Sequence, residues 1–81
     1  GGIGSDSLNG QNGNDIVLGQ EGSDKLIGGN NNDLLLGGAG SDSMEGNSGN
    51  DTLTGESGSD KAVGGAGTDT CDAESETNCE I

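Results

Sequence analysis

The 81-residue sequence contains no aromatic residue, no histidine and no arginine, and only two cations, Lys25 and Lys61, against fifteen Asp and Glu. Without His, Tyr or Arg, most groups that perform acid–base chemistry or bind anions are missing, which argues against an enzyme. A formal net charge of −13 disfavours nucleic acid and anionic membrane as partners and makes cations the natural ligands. No apolar run exceeds three residues, the longest being 16–18 and 34–36, which excludes a transmembrane helix and an uncleaved signal peptide. Hydrophobic residues make up 25 % of the chain. One domain of this size cannot rely on packing alone, and its composition resembles that of low-complexity segments, so order needs another source. The chain opens on Gly1 instead of Met and reads as a processed product or an excised piece of something longer.

Cysteine is scarce too. Cys71 and Cys79 lie near the C-terminal end with no histidine or further thiol to complete a zinc site. They read as a disulfide; two free thiols in a reducing compartment are the alternative.

What the sequence does contain is a period of nine. Written in nines from Gly1, the chain shows Gly at the first position of eight copies and Asp at the sixth: Asp6, Asp15, Asp24, Asp33, Asp42, Asp51, Asp60 and Asp69. Position four is Gly in every copy except the fourth, where Asn31 stands, and Asn is the non-glycine residue that best tolerates a left-handed backbone. All nineteen glycines fall at positions one, two or four, while position eight reads Leu8, Val17, Leu26, Leu35, Met44, Leu53, Ala62 and Cys71. The pattern predicts a tight turn over positions one to six and a short strand over seven to nine, with position eight facing inward. A three-residue strand is stable only if copies stack, each covering its neighbour's core residue. Two copies make one coil, so eight copies predict an all-β parallel roll, a β-solenoid of about four coils, over residues 1–72.

The unit Gly1-Gly2-Ile3-Gly4-Ser5-Asp6-Ser7-Leu8-Asn9 and its seven successors resemble the haemolysin-type, or RTX, nonapeptide G-G-x-G-x-D-x-U-x, over 72 of 81 residues. The resemblance implies a right-handed parallel β-roll that binds Ca²⁺ in its turns and belongs to a protein secreted by a bacterium. Position two departs from Gly at Gln11, Gln20, Asn47 and Glu56.

Calcium prefers six to eight oxygen ligands, and a turn that sets a carboxylate on a curled, glycine-rich backbone can offer both carboxylate and carbonyl oxygens. The candidate side-chain ligands are the eight position-six aspartates. The candidate backbone is that of positions one and four: Gly1, Gly4, Gly10, Gly13, Gly19, Gly22, Gly28, Asn31, Gly37, Gly40, Gly46, Gly49, Gly55, Gly58, Gly64 and Gly67. Aspartates eighteen apart should stack, Asp6, Asp24, Asp42 and Asp60 in one column and Asp15, Asp33, Asp51 and Asp69 in the other. Carboxylates about 4.8 Å apart repel by on the order of a few kcal/mol, so the roll should need its cations. If one ion sits between each pair of stacked turns, as in the family resembled, six ions bring the charge from −13 to −13 + 12 = −1. Calcium binding is then largely the folding energy.

Outside, one sheet should show Ile16, Leu18, Leu34 and Leu36 followed by Thr52, Thr54, Thr70 and Asp72. The apolar half is a candidate contact with another copy or domain, or a strip whose side chains stabilise one another. The other sheet should show Ser7, Asn9, Lys25, Ile27, Ser43, Glu45, Lys61 and Val63, a solvated face. Asn at position five reads as ordinary turn chemistry, which makes the Asn50-Asp51-Thr52 sequon a repeat accident. Residues 73–81 lack the Gly and Asp signals and form a capping or docking tail, closed by a Cys71–Cys79 bond. The functional expectation is a secreted calcium-binding structural module that folds on binding Ca²⁺ and stacks end to end into a filament. The alternative is a calcium-responsive folding or secretion module of a larger toxin, hydrolase or adhesin.

Overall fold

The computed structural model describes residues 2–72 and 75–77. Ten strands follow one another: β1 (Gly2–Ile3), β2 (Ser7–Asn9), β3 (Ile16–Glu21), β4 (Lys25–Gly29), β5 (Leu34–Ala39), β6 (Ser43–Asn47), β7 (Thr52–Ser57), β8 (Lys61–Val63), β9 (Thr70–Asp72) and β10 (Ser75–Thr77). They alternate between two sheets, one ordered β1-β3-β5-β7-β9 and the other β10-β8-β6-β4-β2. Every pairing is parallel. The result is a parallel β-solenoid of about four turns, all-β among the described residues.

Register follows the nine-residue period. Val17 stacks on Leu35, Leu53 and Cys71 in the first sheet, and Leu8 on Leu26, Met44 and Ala62 in the second, each step being eighteen residues. These two stacks form the core, fully buried from Leu26 to Ala62 and half-buried only at Leu8. Position eight therefore faces inward, and both outer faces hold the residues expected of them.

The division into turn and strand needs correction. Strands of the first sheet continue past position nine through the glycine of position one to position three, as in Ile16–Glu21 and Leu34–Ala39. Stacking supplies the cause, because each coil's backbone can hydrogen-bond its neighbours through these positions: Gln20 pairs with Gly38 and Glu21 with Ala39. Position one is consequently an inward position, and Gly19, Gly28, Gly37, Gly46, Gly55 and Gly64 are buried.

The left-handed backbone lies where the sequence asks for it. Asn31 takes φ 77°, as its place among the position-four glycines requires. Position two is left-handed also in its four non-glycine copies, with φ 71–76° at Gln11, Gln20, Asn47 and Glu56. Along each stack these residues alternate with glycine: Gln20 lies between Gly2 and Gly38, and Asn47 between Gly29 and Gly65. A Cβ on Gly38 would collide with the Gln20 carbonyl oxygen beside it.

The period breaks at the C-terminal end. Ser43 pairs with Lys61, eighteen residues on, but Lys61 pairs with Ser75, only fourteen on. Two residues, 73 and 74, separate β9 from β10, too few for another Gly–Asp turn, so the roll gains a strand there without an aspartate. Cys71 is buried at the last position-eight slot; Cys79, the other half of the expected disulfide, lies outside the described residues.

Candidate metal centre

Because positions six, eight and one all face inward, each turn delivers its aspartate to the interior beside the aliphatic core. Asp24, Asp33, Asp42, Asp51, Asp60 and Asp69 are buried, Asp51 and Asp69 almost completely, while Asp6 and Asp15 in the first coil are half-buried. They form the two columns expected from eighteen-residue spacing.

Each buried carboxylate has one satisfied oxygen and one orphan. Asp24 Oδ1 accepts the backbone N–H of Asp6 at 2.8 Å, and Asp42 and Asp60 accept from Asp24 and Asp42 at 2.9 Å. In the other column Asp33 accepts from Asp15 at 2.8 Å, and Asp51 and Asp69 accept from Asp33 and Asp51 at 2.7 Å. The second oxygen, Oδ2, is buried without a hydrogen-bond partner in all eight aspartates. A native protein rarely leaves so many buried acceptors unpaired, since each carries its full desolvation cost.

Proton affinities reflect the same frustration. Burial pushes the Asp51 carboxyl from an ordinary 3.8 up to about 6, and the flanking Asp69 and Asp33 carboxylates add to the rise; the N–H donated by Asp33 works against it. Asp42 is raised in the same way, by burial first and then by Asp60 and Asp24, against the N–H of Asp24.

Backbone oxygens converge where position-one glycines lack a side chain. A Cβ on Gly10 would sit 2.8 Å from both Asp15 Oδ2 and the Gly28 carbonyl oxygen. On Gly46 it would meet Asp51 Oδ2 at 2.5 Å and the Gly64 carbonyl at 2.8 Å; on Gly19 it would meet Gly37 O at 2.6 Å and Asp24 Oδ2 at 2.8 Å. The invariant glycine thus keeps open a cradle walled by a carboxylate from its own turn and a carbonyl from the next coil. Among the described residues no point gathers three Asp, Glu, Cys or His side chains. A cation in these columns would therefore meet at most two carboxylates and draw its remaining oxygens from the backbone, a donor set suited to a hard ion of high coordination number.

The sequence profile of the RTX calcium-binding nonapeptide repeat, a unit of four copies, matches residues 1–35 and again residues 36–71. The chain belongs to that family. RTX repeats bind calcium, so calcium ions are its expected partners. No curated protein and no solved structure shows significant similarity to the chain.

Two features escaped the sequence reading. The aspartate columns are not bare ladders of like charge, since an N–H from the preceding coil compensates each inner carboxylate in part. Position five, taken for ordinary turn chemistry, carries a second ladder in one column: Asn14 Oδ1 accepts the Asn32 N–H at 2.9 Å, Asn32 Oδ1 that of Asn50 at 2.7 Å, and Asn50 Oδ1 that of Thr68 at 2.8 Å. The signal for it was that position five is Asn in the second, fourth and sixth copies, Thr in the eighth and Ser in the odd ones.

Proposed function

We propose that residues 1–72 are a calcium-dependent folding module, unfolded at low calcium and closed into the roll in millimolar calcium outside the cell. The observation that carries this reading is the set of eight buried aspartate Oδ2 atoms without partners. A core this thin does not offset the conformational entropy of ordering the chain together with eight desolvated carboxylate oxygens. The position-six aspartates, with carbonyls of the position-one and position-four backbone, are the ligands of this reading, and about six ions are its stoichiometry. Magnesium suits it less, because its stricter octahedron retains water.

Proteins of this family are typically secreted by bacteria, and a calcium-triggered fold suits a chain that stays unfolded in a low-calcium interior. Residues 73–81 act in this proposal as a closing tail, with Cys71 and Cys79 joined. The module is structural and not catalytic, its buried acidic groups being committed to the ladders.

A second reading is end-to-end assembly. It draws on the first coil, where Ser7, Leu8, Asn9, Gly10, Asp15, Ile16 and Val17 line an open depression, the core side chains Leu8 and Val17 among them. A solenoid end of this kind invites a further strand.

A calcium titration followed by circular dichroism, with bound ions counted at saturation, tests the first reading. Cooperative gain of β-structure with about six ions supports it. A chain that is already folded in chelator, or still unfolded in millimolar calcium, overturns it. Light scattering across the same titration separates the readings, long species marking assembly and a compact monomer a tethered module.

A further inference from the structure

The two stacks of turns differ outside the aspartate ladders. In one stack the residue before each aspartate is Asn14, Asn32, Asn50 or Thr68; in the other it is Ser5, Ser23, Ser41 or Ser59. We propose that Asn14, Asn32 and Asn50 are positioning residues that preorganise one stack of calcium turns, so that the roll holds two classes of ion and releases those of the asparagine stack more slowly. This rests on the calcium reading above.

The hydrogen bonds of the two ladders run in opposite directions along the stack. In the inner ladder the aspartate N–H of one coil donates to the carboxylate of the following coil, as Asp33 N–H does to Asp51. In the outer ladder the N–H of position five donates to the amide oxygen of the preceding coil, as Asn50 N–H does to Asn32. Each inner turn of the asparagine stack is therefore fastened forward through one residue and backward through its chain neighbour. The same turns carry two further ties: Gly13 N–H donates to Asn31 Oδ1 at 3.1 Å, and Asn30 Nδ2 donates to Asn12 Oδ1 at 2.8 Å.

None of these outer bonds involves a charge or needs a metal. Among the described residues no equivalent bond links Ser5, Ser23, Ser41 or Ser59 to a neighbouring coil. The serine hydroxyl is one bond shorter than the asparagine amide, which accounts for the difference in reach. Backbone pairing joins the coils in both stacks, as between Gln20 and Gly38 in the serine stack and Gly29 and Asn47 in the asparagine stack. In the serine stack the position of one turn over the next is held, beyond that pairing, by the inner ladder and by whatever ion the turns share. In the asparagine stack it is fixed in addition by exposed neutral bonds.

An ion binds more tightly where the ordering of its ligands has already been met by other contacts, and differences of this kind fall mostly on the dissociation rate. Position five is covalently adjacent to the ligand residue in Asn14-Asp15, Asn32-Asp33 and Asn50-Asp51. Holding it therefore holds the backbone from which the carboxylate projects. Neutral hydrogen bonds of this type, summed over three links, correspond to about a tenfold difference in release rate between the stacks.

The experiment is stopped-flow release from the calcium-saturated chain into excess chromophoric chelator. Two phases of similar amplitude are expected, about tenfold apart. Asp51→Asn should reduce the slow amplitude and Asp42→Asn the fast one, which assigns the phases to the stacks. N14S/N32S/N50S should accelerate the slow phase about tenfold and leave the fast phase in place. S5N/S23N/S41N should slow the fast phase, a transfer that a merely stabilising role elsewhere in the roll does not produce. Should the asparagine-free variant fail to fold in calcium, the serine-to-asparagine variant decides alone. A single phase in the parent chain, or a shift of both phases together in either variant, overturns the proposal. A parent chain with no ions bound at saturation overturns the calcium reading instead, and the two failures are told apart by the ion count taken before mixing.

Discussion

Two kinds of column run side by side through the interior, and they are buried to the same degree. One is aliphatic, Leu26, Leu35, Met44 and Leu53 being fully inaccessible; the other is anionic, with Asp51 at 1 % exposure and Asp69 at 0 %. Burial stabilises the first without conditions, by about 1.5–3 kcal/mol for each large side chain. The same burial makes the second a liability until a cation arrives. On the proposed function the roll is thus poised, with an apolar column too thin to fold it alone and an acidic column that opposes folding until it is neutralised. Withdrawing calcium should therefore have the largest effect of any single change, loss of the roll as a whole, seen as disappearance of β-sheet circular dichroism in chelator.

Breaking the aliphatic column should come next. Leu53→Ala removes a fully buried side chain held between Leu35 and Cys71, and substitutions of this kind cost about 2–5 kcal/mol. With folding and binding one equilibrium, as proposed, the loss should appear as a higher calcium concentration at the folding midpoint, with the number of ions at saturation unchanged. That unchanged count distinguishes the aliphatic column from the anionic one, where Asp51→Asn should lower it. Equal loss of ions in both variants would show that the columns do not act separately.

Acidity tests the same contrast by a different route. The folded, calcium-free Asp51 carboxyl titrates at about 6, above its ordinary 3.8, so the folded chain binds a proton more readily than the unfolded one. Stability contributed by that proton is present below about pH 3.8 and is lost as pH rises through about 6, an effect on the order of 3 kcal/mol for this group. Asp42 is shifted in the same direction. The calcium-free chain should accordingly gain β-structure on acidification from pH 7 to pH 4. In calcium the sign reverses, since protons compete for the same oxygens, and the calcium midpoint should rise below about pH 6. Circular dichroism over that range, with and without chelator, checks both signs.

Most of this contrast was legible in the sequence, because both columns follow from side-chain period. Position eight inward and aspartates stacked at eighteen residues need only alternation and a fixed repeat length. What could not be read was whatever depends on backbone meeting backbone between coils. The strands run on through Gly19 and Gly37 because the next coil pairs with them, and no local propensity announces that. The orphan Oδ2 and the satisfied Oδ1 of Asp51 are chemically equivalent in the sequence, and only the stacked N–H of Asp33 tells them apart. The asparagine ladder stayed hidden for a similar reason: Asn32 in isolation is a turn residue, and its role depends on which N–H of Asn50 lies beneath it.

The smallest effect is expected on the outer face of the first sheet, where neither column is touched. Ile16 is 70 % exposed and Leu18 40 %, while Leu34 and Leu36, one strand further in, are half-buried. Replacing Ile16 and Leu18 with Thr keeps branched, strand-compatible side chains and removes only exposed apolar surface. The calcium midpoint should move by no more than about 0.5 kcal/mol equivalent, as for ordinary surface substitutions. A larger loss has two possible sources, of which the first is a second copy that covers the strip in the folded state. The loss would then grow with protein concentration, and light scattering of the parent chain in calcium would report the dimer that I16T/L18T removes. A concentration-independent loss would instead assign the strip to the sheet itself, its side chains supporting one another along the stack.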